Sequence, residues 1–208
     1  MNTDANNAGT LDSPEPTVPD TDLMMRVKAG DPSAFKTIVE RYERRVINVA
    51  YRLLGDQDEA EDIAQETFLK VYLSSKSYKP QAKLFTYLYT IATNLALNRL
   101  RKKKRLRWFS LDAWKEGGEE GGGREIPADP ADRPDLSFEQ AEREAIVRRA
   151  LDALPAAQKT AVVLNRYEGL SYKQVAEVMD ISVSAVESKL HRAKQMLREK
   201  LRAYSEEI

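Results

Sequence analysis

The chain of 208 residues contains no cysteine and one histidine, His191. Without cysteine there is neither a disulfide framework nor a thiolate metal site, and a reducing, cytoplasmic location is expected. One histidine with no partner at ligand spacing does not make a zinc site, and it leaves serine chemistry without its usual base. We therefore expect no catalytic residue, no bound metal and no cofactor.

Long apolar runs are also missing, so no membrane-spanning helix is expected. The N-terminus lacks the basic and then apolar pattern of a signal peptide. Strand-like alternation of apolar and polar residues is absent, whereas helical periodicity recurs along most of the chain. These features predict an all-α protein that is soluble and intracellular.

Charge is balanced in total but segregated along the chain. The formal net charge is +0, from 33 basic and 33 acidic residues. Residues 1–22 hold five acids and no base, whereas residues 99–107 (RLRKKKRLR) hold seven bases and no acid. A basic block of this kind favours a nucleic-acid partner more strongly than the net charge opposes one.

The chain divides into four segments. Residues 1–21 have little to bury and predict a disordered acidic tail. Helical periodicity occupies residues 22–109 and returns at 138–208, and the stretch between them, 110–137, is a Gly- and Pro-rich acidic linker. The prediction is therefore two small helical domains, an N-terminal helical bundle and a C-terminal helix-turn-helix, joined by a flexible linker.

Residues 171–198 (SYKQVAEVMDISVSAVESKLHRAKQMLR) predict two helices joined by a tight turn. Ser171 and Gln174 form a capping box that starts the first helix. The second helix has an apolar stripe, and its opposite face carries Ser184, Glu187, Ser188, His191, Arg192 and Gln195. Such a face suits a helix laid in a major groove. The alternative is an ordinary amphipathic helical hairpin with a solvated outer face, and this segment alone does not decide.

Earlier in the chain, a helix is predicted over residues 56–75 (DQDEAEDIAQETFLKVYLSS), with Asp56 and Glu59 as its cap. Asp62, Gln65, Glu66 and Leu69 share one face, opposite an inward stripe. The helix dipole explains acids near the N-terminus, but it does not explain an apolar residue among them. This face favours a partner helix.

Residues 84–107 (LFTYLYTIATNLALNRLRKKKRLR) predict a helix that runs into the basic block. It combines Phe85, Tyr87 and Tyr89 with two amides, Asn94 and Asn98. Aromatics beside amides and cations are typical of sites that hold unstacked bases and a single-strand backbone. The alternative is that these tyrosines pack a small helical core.

In combination, these motifs resemble the sigma-70 family of RNA polymerase sigma factors, in its small extracytoplasmic-function branch, group 4. The resemblance covers about residues 22–107 and 138–202. EAEDIAQETFLKVY resembles the family's polymerase-docking helix, FTYLYTIATNLALNRLRKKKR its minus-ten-reading helix, and LPAAQKTAVVLNRYEGLSYKQVAEVMDISVSAVESKLHRAKQML its minus-thirty-five domain. The chain departs from the family pattern at Pro80, Tyr87, Asn98 and Glu187.

The resemblance implies a factor that directs core polymerase to specific promoters and assists promoter melting and transcription initiation. It implies that residues 22–109 are region 2 and residues 138–208 region 4. Its implied partners are core RNA polymerase, through the clamp coiled coil of the largest subunit and the flap of the second-largest, together with promoter DNA and an anti-sigma factor.

The resemblance also assigns three sets of site residues. Those facing the clamp are Asp62, Gln65, Glu66 and Leu69. Those at the minus-ten element are Tyr78, Lys79, Tyr87, Asn94, Asn98, Arg101, Lys102 and Lys103. Those at the minus-thirty-five element are Ser184, Glu187, Ser188, His191 and Arg192.

Two other classes of protein remain as alternatives. A stand-alone helix-turn-helix regulator would bind its operator unaided, typically as a dimer. A two-metal nuclease would use the acids of residues 56–66, but these lie along one helix with different facings, and no second acidic motif converges on them.

Overall fold

The computed structural model describes residues 18–79, 83–114 and 138–205. All regular secondary structure in these ranges is helical, which confirms the predicted all-α class. The α-helices are α1 Asp20–Lys28, α2 Pro32–Leu54, α3 Gln57–Ser74, α4 Leu84–Trp114, α5 Phe138–Asp152, α6 Ala156–Val162, α7 Tyr172–Met179 and α8 Val183–Ser205. A 3₁₀ turn, Ser75–Ser77, follows α3, and a π-helical turn, Val163–Tyr167, extends α6.

The ends of α2 follow from local sequence. The Asp31 carboxylate accepts hydrogen bonds from the backbone N–H groups of Ser33 at 2.8 Å and Ala34 at 3.3 Å, and Pro32 occupies the first turn. Gly55 ends the helix in the left-handed region, at φ 76°, where a side chain would be strained. Local sequence therefore sets both boundaries.

The start of α3 was predicted only in part. Asp56 caps the helix by accepting from the Glu59 N–H at 2.9 Å. The Glu59 side chain does not complete a capping box, because it forms ion pairs with Lys103 and, at 3.7 Å, with Arg99 of α4. The basic helix offers this carboxylate a stronger partner than a backbone amide.

The N-terminal domain begins slightly earlier than expected. Asp20, placed in the tail by the sequence, starts α1, and its carboxylate accepts from the Tyr42 hydroxyl and the Arg41 guanidinium. Burial, reinforced by this hydrogen bond, raises the pKa of Tyr42 above the usual range for tyrosine. The rest of the predicted tail, residues 1–17, lies outside the described residues.

The N-terminal bundle is built on three helices, α2, α3 and α4, with α1 packed on α2. The predicted inward stripe of α3 is buried, including Ile63 and Val71. In α4, Leu84 and Leu88 are buried, whereas Ile91, Leu95 and Leu100 are only half-buried. The helix continues to Trp114, past the predicted domain end at 109. Pro80 and residues 115–137 of the predicted linker lie outside the described residues.

The C-terminal unit contains the predicted helix-turn-helix. Ser171 accepts from the Gln174 N–H at 3.3 Å while the Gln174 side chain accepts from the Ser171 N–H at 2.8 Å, so the capping box is confirmed. Asp180, in the left-handed conformation at φ 52°, turns the chain into α8. Val186 and Ala193 of the predicted α8 stripe are buried, and Leu190 and Leu197 are half-buried against them.

The two units also pack against each other, which the sequence did not predict. Helix α7 lies on α4, and the π-helical turn lies against α2. One continuous apolar core contains Leu53 and Tyr89 of the N-terminal bundle together with Leu164 and Val175 of the C-terminal unit. The amphipathic pattern of α7 was therefore correct, but its packing partner is a helix about eighty positions earlier in the sequence.

Candidate nucleic-acid and partner-binding surfaces

The outward face of α3 combines carboxylates with apolar side chains. Asp62 and Gln65 are exposed, Glu66 is half-buried, and Leu69 is 56% exposed. The spacing i, i+3, i+4 and i+7 places all four on one face, as predicted. Glu66 also forms an exposed ion pair with Lys70 at 3.4 Å, which is weak enough to yield to a partner.

Sequence reasoning missed two apolar residues beside this face. Leu73 is 69% exposed and Tyr72 is 48% exposed. Their spacing could have predicted this exposure, because both residues fall outside the buried stripe of α3 and lie one turn from Leu69. With Leu69 they form an exposed apolar strip beside the carboxylates, which suits a partner surface better than water.

The aromatic residues near the start of α4 have different environments. Tyr89 is 1% exposed and its hydroxyl donates to the Glu168 carboxylate at 2.6 Å, so it packs the core, as the alternative interpretation held. Burial, followed by this hydrogen bond, raises the pKa of Tyr89 above its ordinary value and keeps the phenol protonated. Tyr87 is half-buried, with its hydroxyl 2.8 Å from that of Ser74.

The loop before α4 holds two further predicted residues. Lys79 is exposed and Tyr78 is half-buried. The ammonium of Lys28 donates to the Tyr78 carbonyl at 3.1 Å, which ties this loop to α1. Burial raises the pKa of Tyr78, and its hydroxyl has no hydrogen-bond partner among the described residues.

The second half of α4 presents amides and cations to solvent. Asn94, Asn98, Arg101, Lys102 and Lys103 are all exposed. The side-chain oxygen of Asn98 accepts a hydrogen bond from the Arg101 guanidinium at 2.8 Å, which orders that pair along the helix surface. Glu59 neutralises part of the charge near Lys103 and fixes the position of this segment on α3. The result is a basic surface suited to a phosphate backbone.

The outer face of α8 is open. Ser182 caps the helix by accepting from the Ala185 N–H at 3.2 Å. The five predicted residues, Ser184, Glu187, Ser188, His191 and Arg192, are exposed. The last four line one shallow groove of about 420 Å³. The structure therefore brings this set together on one surface, with two serines and Glu187 near the N-terminus of α8 and His191 and Arg192 about a turn later.

Two exposed residues at the helix-turn-helix escaped the sequence analysis. Val183 is 41% exposed and Tyr172 is 43% exposed, and they are the first residues of α8 and α7. Their positions at helix starts, outside the buried stripes, were the available signal. The methyl groups of Val183 suit contact with a thymine methyl in a major groove.

Among the described residues, no group of three or more acidic or histidine side chains is arranged to hold a metal ion. Within the same part of the chain, no helix is both long and apolar enough to cross a membrane.

These features are typical of one class: a helical DNA-binding protein that carries a helix-turn-helix, a second basic helix and a separate helix with an acidic and apolar outer face. Comparison with known protein families identifies the family. Residues 38–106 match sigma-70 region 2 and residues 144–197 match sigma-70 region 4. The chain belongs to the sigma-70 family and is similar over most of its length to extracytoplasmic-function (ECF) sigma factors.

Individual relatives agree with this assignment. The chain is 37% identical to the ECF RNA polymerase sigma factor SigW of Bacillus subtilis over 179 residues, covering 85% of this chain and 94% of that protein. It is 36% identical to the ECF RNA polymerase sigma-E factor of Haemophilus influenzae over 182 residues, covering 88% and 95%. Among solved structures, the sigma factor RpoE of Bartonella quintana, in complex with the anti-sigma factor NepR, matches with a TM-score of 0.61 at 25% identity, covering 81% and 96%.

The protein is thus an RNA polymerase sigma factor that directs transcription initiation at promoters, and its family is not an enzyme class. This assignment favours the sigma-factor interpretation over a stand-alone regulator or a nuclease.

Proposed function

We propose that the four-residue face of α3, Asp62, Gln65, Glu66 and Leu69, docks the chain onto core RNA polymerase through the clamp coiled coil of its largest subunit. Exposed carboxylates beside an apolar strip support this role, because charges steer the encounter and the apolar side chains supply buried area. Tyr72 and Leu73 extend the contact. The flap of the second-largest subunit engages the C-terminal domain.

The basic half of α4 and the loop before it bind the minus-ten element. Asn94 and Asn98 contact bases, and Arg101, Lys102 and Lys103 contact phosphates, consistent with their exposure on one helix. Tyr87 in the first turn of α4, together with Tyr78 and Lys79 in the loop before it, holds a displaced base. This division suits promoter melting, because a single strand needs both stacking and charge.

The outer face of α8 reads the minus-thirty-five element in duplex DNA. Its five exposed residues and groove support this role, and Val183 adds an apolar contact. Glu187 accepts from a cytosine amine, which gives this chain its own base preference. Arg192 contacts phosphate or guanine.

The domain roles follow: residues 22–109 act as region 2, and residues 138–208 act as region 4. The chain works in the cytoplasm, without catalytic activity of its own, and an anti-sigma factor restrains it. The last proposal is supported by the similarity to RpoE, which was solved with its anti-sigma factor NepR.

Charge reversal at the docking face tests the central role. The double variant Asp62→Lys/Glu66→Lys should lose core-polymerase binding in a pull-down while keeping its helical content, since both side chains point to solvent. The matched control is Glu40→Lys/Glu43→Lys, the same charge change at exposed positions of α2. Undiminished core binding by the α3 variant would overturn the docking assignment.

A further inference from the structure

Glu59, near the start of α3, holds two cations of the basic helix α4. Its carboxylate forms an ion pair with the ammonium of Lys103 and, at 3.7 Å, with the guanidinium of Arg99. The two cations are four positions apart, so they lie on the same side of α4. The Glu59 side chain is 19% exposed, whereas those of Arg99 and Lys103 are 34% and 48% exposed. One carboxylate therefore serves two cations, and both cations can still be reached from solvent.

These ion pairs contribute little to holding α3 and α4 together. The two helices share an apolar core that includes Ile63 of α3 and Ala92 of α4, both fully buried. Ion pairs that remain in contact with solvent add little to stability. A carboxylate at the edge of a basic surface has a larger effect on the local charge that an approaching phosphate meets.

The three cations assigned to the minus-ten element are consequently not equivalent. Arg101 and Lys102 are exposed, and within the described part of the chain neither forms an ion pair. Lys103 is paired with a carboxylate before any DNA arrives. A phosphate gains a contact with Lys103 only by displacing Glu59, and this exchange offsets most of the gain from counterion release at that position.

Random duplex and promoter differ in how well a phosphate competes with Glu59. Binding to random sequence depends on phosphate contacts alone and leaves the DNA free to slide along the protein. At a promoter, the proposed base contacts of Asn94 and Asn98, one turn apart on α4, fix the backbone in one register. A phosphate that is held beside Lys103 then acts at high effective concentration and replaces Glu59. The carboxylate thus weakens binding to random duplex more than binding to the promoter.

We propose that Glu59 is a specificity-determining residue that acts without touching DNA. It competes with phosphate for Lys103 and Arg99, and so it lowers the affinity for random duplex while sparing the promoter. This inference rests on the proposed minus-ten role of α4. The group it discriminates against is the phosphate backbone itself, whatever the base sequence.

Glu59→Gln tests the inference with little change of shape. The amide keeps the size of the side chain and removes its charge, and the cap of α3 is retained because Asp56 accepts from the backbone N–H of Glu59. By fluorescence anisotropy at low salt, the full chain should bind a scrambled, dye-labelled duplex about threefold more tightly, as expected for the loss of one competing ion pair. The slope of log affinity against log salt between about 50 and 200 mM should steepen by about 0.9, which corresponds to one more phosphate contact.

Glu61→Gln is the matched control. It makes the same change of net charge on the same helix, but the exposed Glu61 carboxylate accepts from Gln57 at 2.7 Å and not from α4. Its affinity for scrambled duplex and its salt slope should stay close to those of the wild type. Equal gains from Glu59→Gln and Glu61→Gln would reduce the effect to net charge and overturn the proposal, as would the absence of any gain from Glu59→Gln.

Two lysine variants keep the test decisive if Glu59→Gln loses helical content by circular dichroism. In the otherwise wild-type chain, Lys102→Gln should weaken binding to scrambled duplex by about threefold. Lys103→Gln should weaken it by much less, because Glu59 already neutralises that charge. Equal losses from the two variants would overturn the proposal. If Glu59→Gln is folded, Lys102→Gln and Lys103→Gln should have equal effects when combined with it.

Specificity itself is measured in the complex with core polymerase. When run-off transcription from a selected promoter is titrated with scrambled duplex, Glu59→Gln should be half-inhibited by about threefold less competitor than the wild type. Its output without competitor should be unchanged, and unchanged sensitivity to the competitor would overturn the proposal. The double variant Arg101→Gln/Lys102→Gln separates this outcome from the minus-ten role. If it loses no DNA binding, the minus-ten role of α4 is wrong; if it loses binding while Glu59→Gln gains none, only the role of Glu59 is wrong.

Discussion

Arg192 is the residue at which groove reading is tested most simply. It is exposed on α8 at the edge of the groove. Arg192→Ala should weaken promoter-specific transcription by roughly five- to 150-fold, the effect of losing about 1–3 kcal/mol of DNA contact. Core-polymerase binding in a pull-down should be unchanged, because Arg192 is far along the chain from the docking face.

The control for Arg192 is Lys194→Ala, an exposed base two positions away, which points to a different side of α8. It should retain most promoter-specific transcription. Simultaneous loss of promoter use and core binding in Arg192→Ala would indicate misfolding and contradict the assignment, as would full activity.

Asp31 makes stability depend on pH. Hydrogen bonds from Ser33 and Arg26 hold the pKa of this carboxyl far below its ordinary value of 3.8. A lowered folded-state pKa stabilises the fold above 3.8, and this contribution is lost as the pH falls below it. Asp31→Asn keeps a capping oxygen but no charge, so its stability to urea should vary less with pH in this acidic range than that of the wild type. If the stability of Asp31→Asn and that of the wild type changed equally with pH in this range, the stabilising role of the Asp31 charge would be contradicted.

For single residues, the sequence predicted the hydrogen bonds of side chains whose partners lie nearby in the chain. Ser171 caps α7 as expected because a cap needs only the next turn. The contact of Lys159 with the Leu53 carbonyl and that of Glu168 with Tyr89 could not be predicted, since these partners lie 106 and 79 positions away. No local pattern encodes which distant carbonyl a lysine will meet.

At the scale of the element, the capping box of α7 sets how firmly the helix-turn-helix is formed. Ser171→Ala removes the side-chain half of the box and should lower the free energy of unfolding by about 1 kcal/mol. Urea denaturation followed by circular dichroism measures this. Ser188→Ala, in the exposed middle of α8, is the control and should change stability little. Equal urea midpoints for Ser171→Ala and the wild type would contradict a stabilising role for the Ser171 cap.

Amphipathic periodicity predicted which face of each helix is buried, but not what covers it. In α7, Val175 and Val178 are buried. Its cover includes α4, so the helix contributes to two contacts, one with α8 and one across the domains. In α3, the same periodicity placed the outward face correctly but gave no weight to Leu73, because exposure of an apolar residue is a property of the folded surface.

For the molecule as a whole, the family motifs predicted both sigma-70 regions that the family comparison confirms, while the arrangement of the two domains was not predictable from them. A Gly- and Pro-rich linker is typical of independent bodies, yet the described residues share one core. Interdomain packing depends on complementary surfaces built from many positions. The site residues assigned from the resemblance stay predictions about contacts with polymerase and DNA, although their exposure is consistent with those roles.

The central proposal for the molecule is that docking on core polymerase lets its two small DNA-binding surfaces recognise one promoter together. Run-off transcription with purified core polymerase and a promoter library tests it most directly. The wild-type chain should start transcripts at a defined subset of promoters, and Asp62→Lys/Glu66→Lys should start none. Tight binding of the chain alone to one duplex, with no transcripts added to those of core polymerase, would contradict the account.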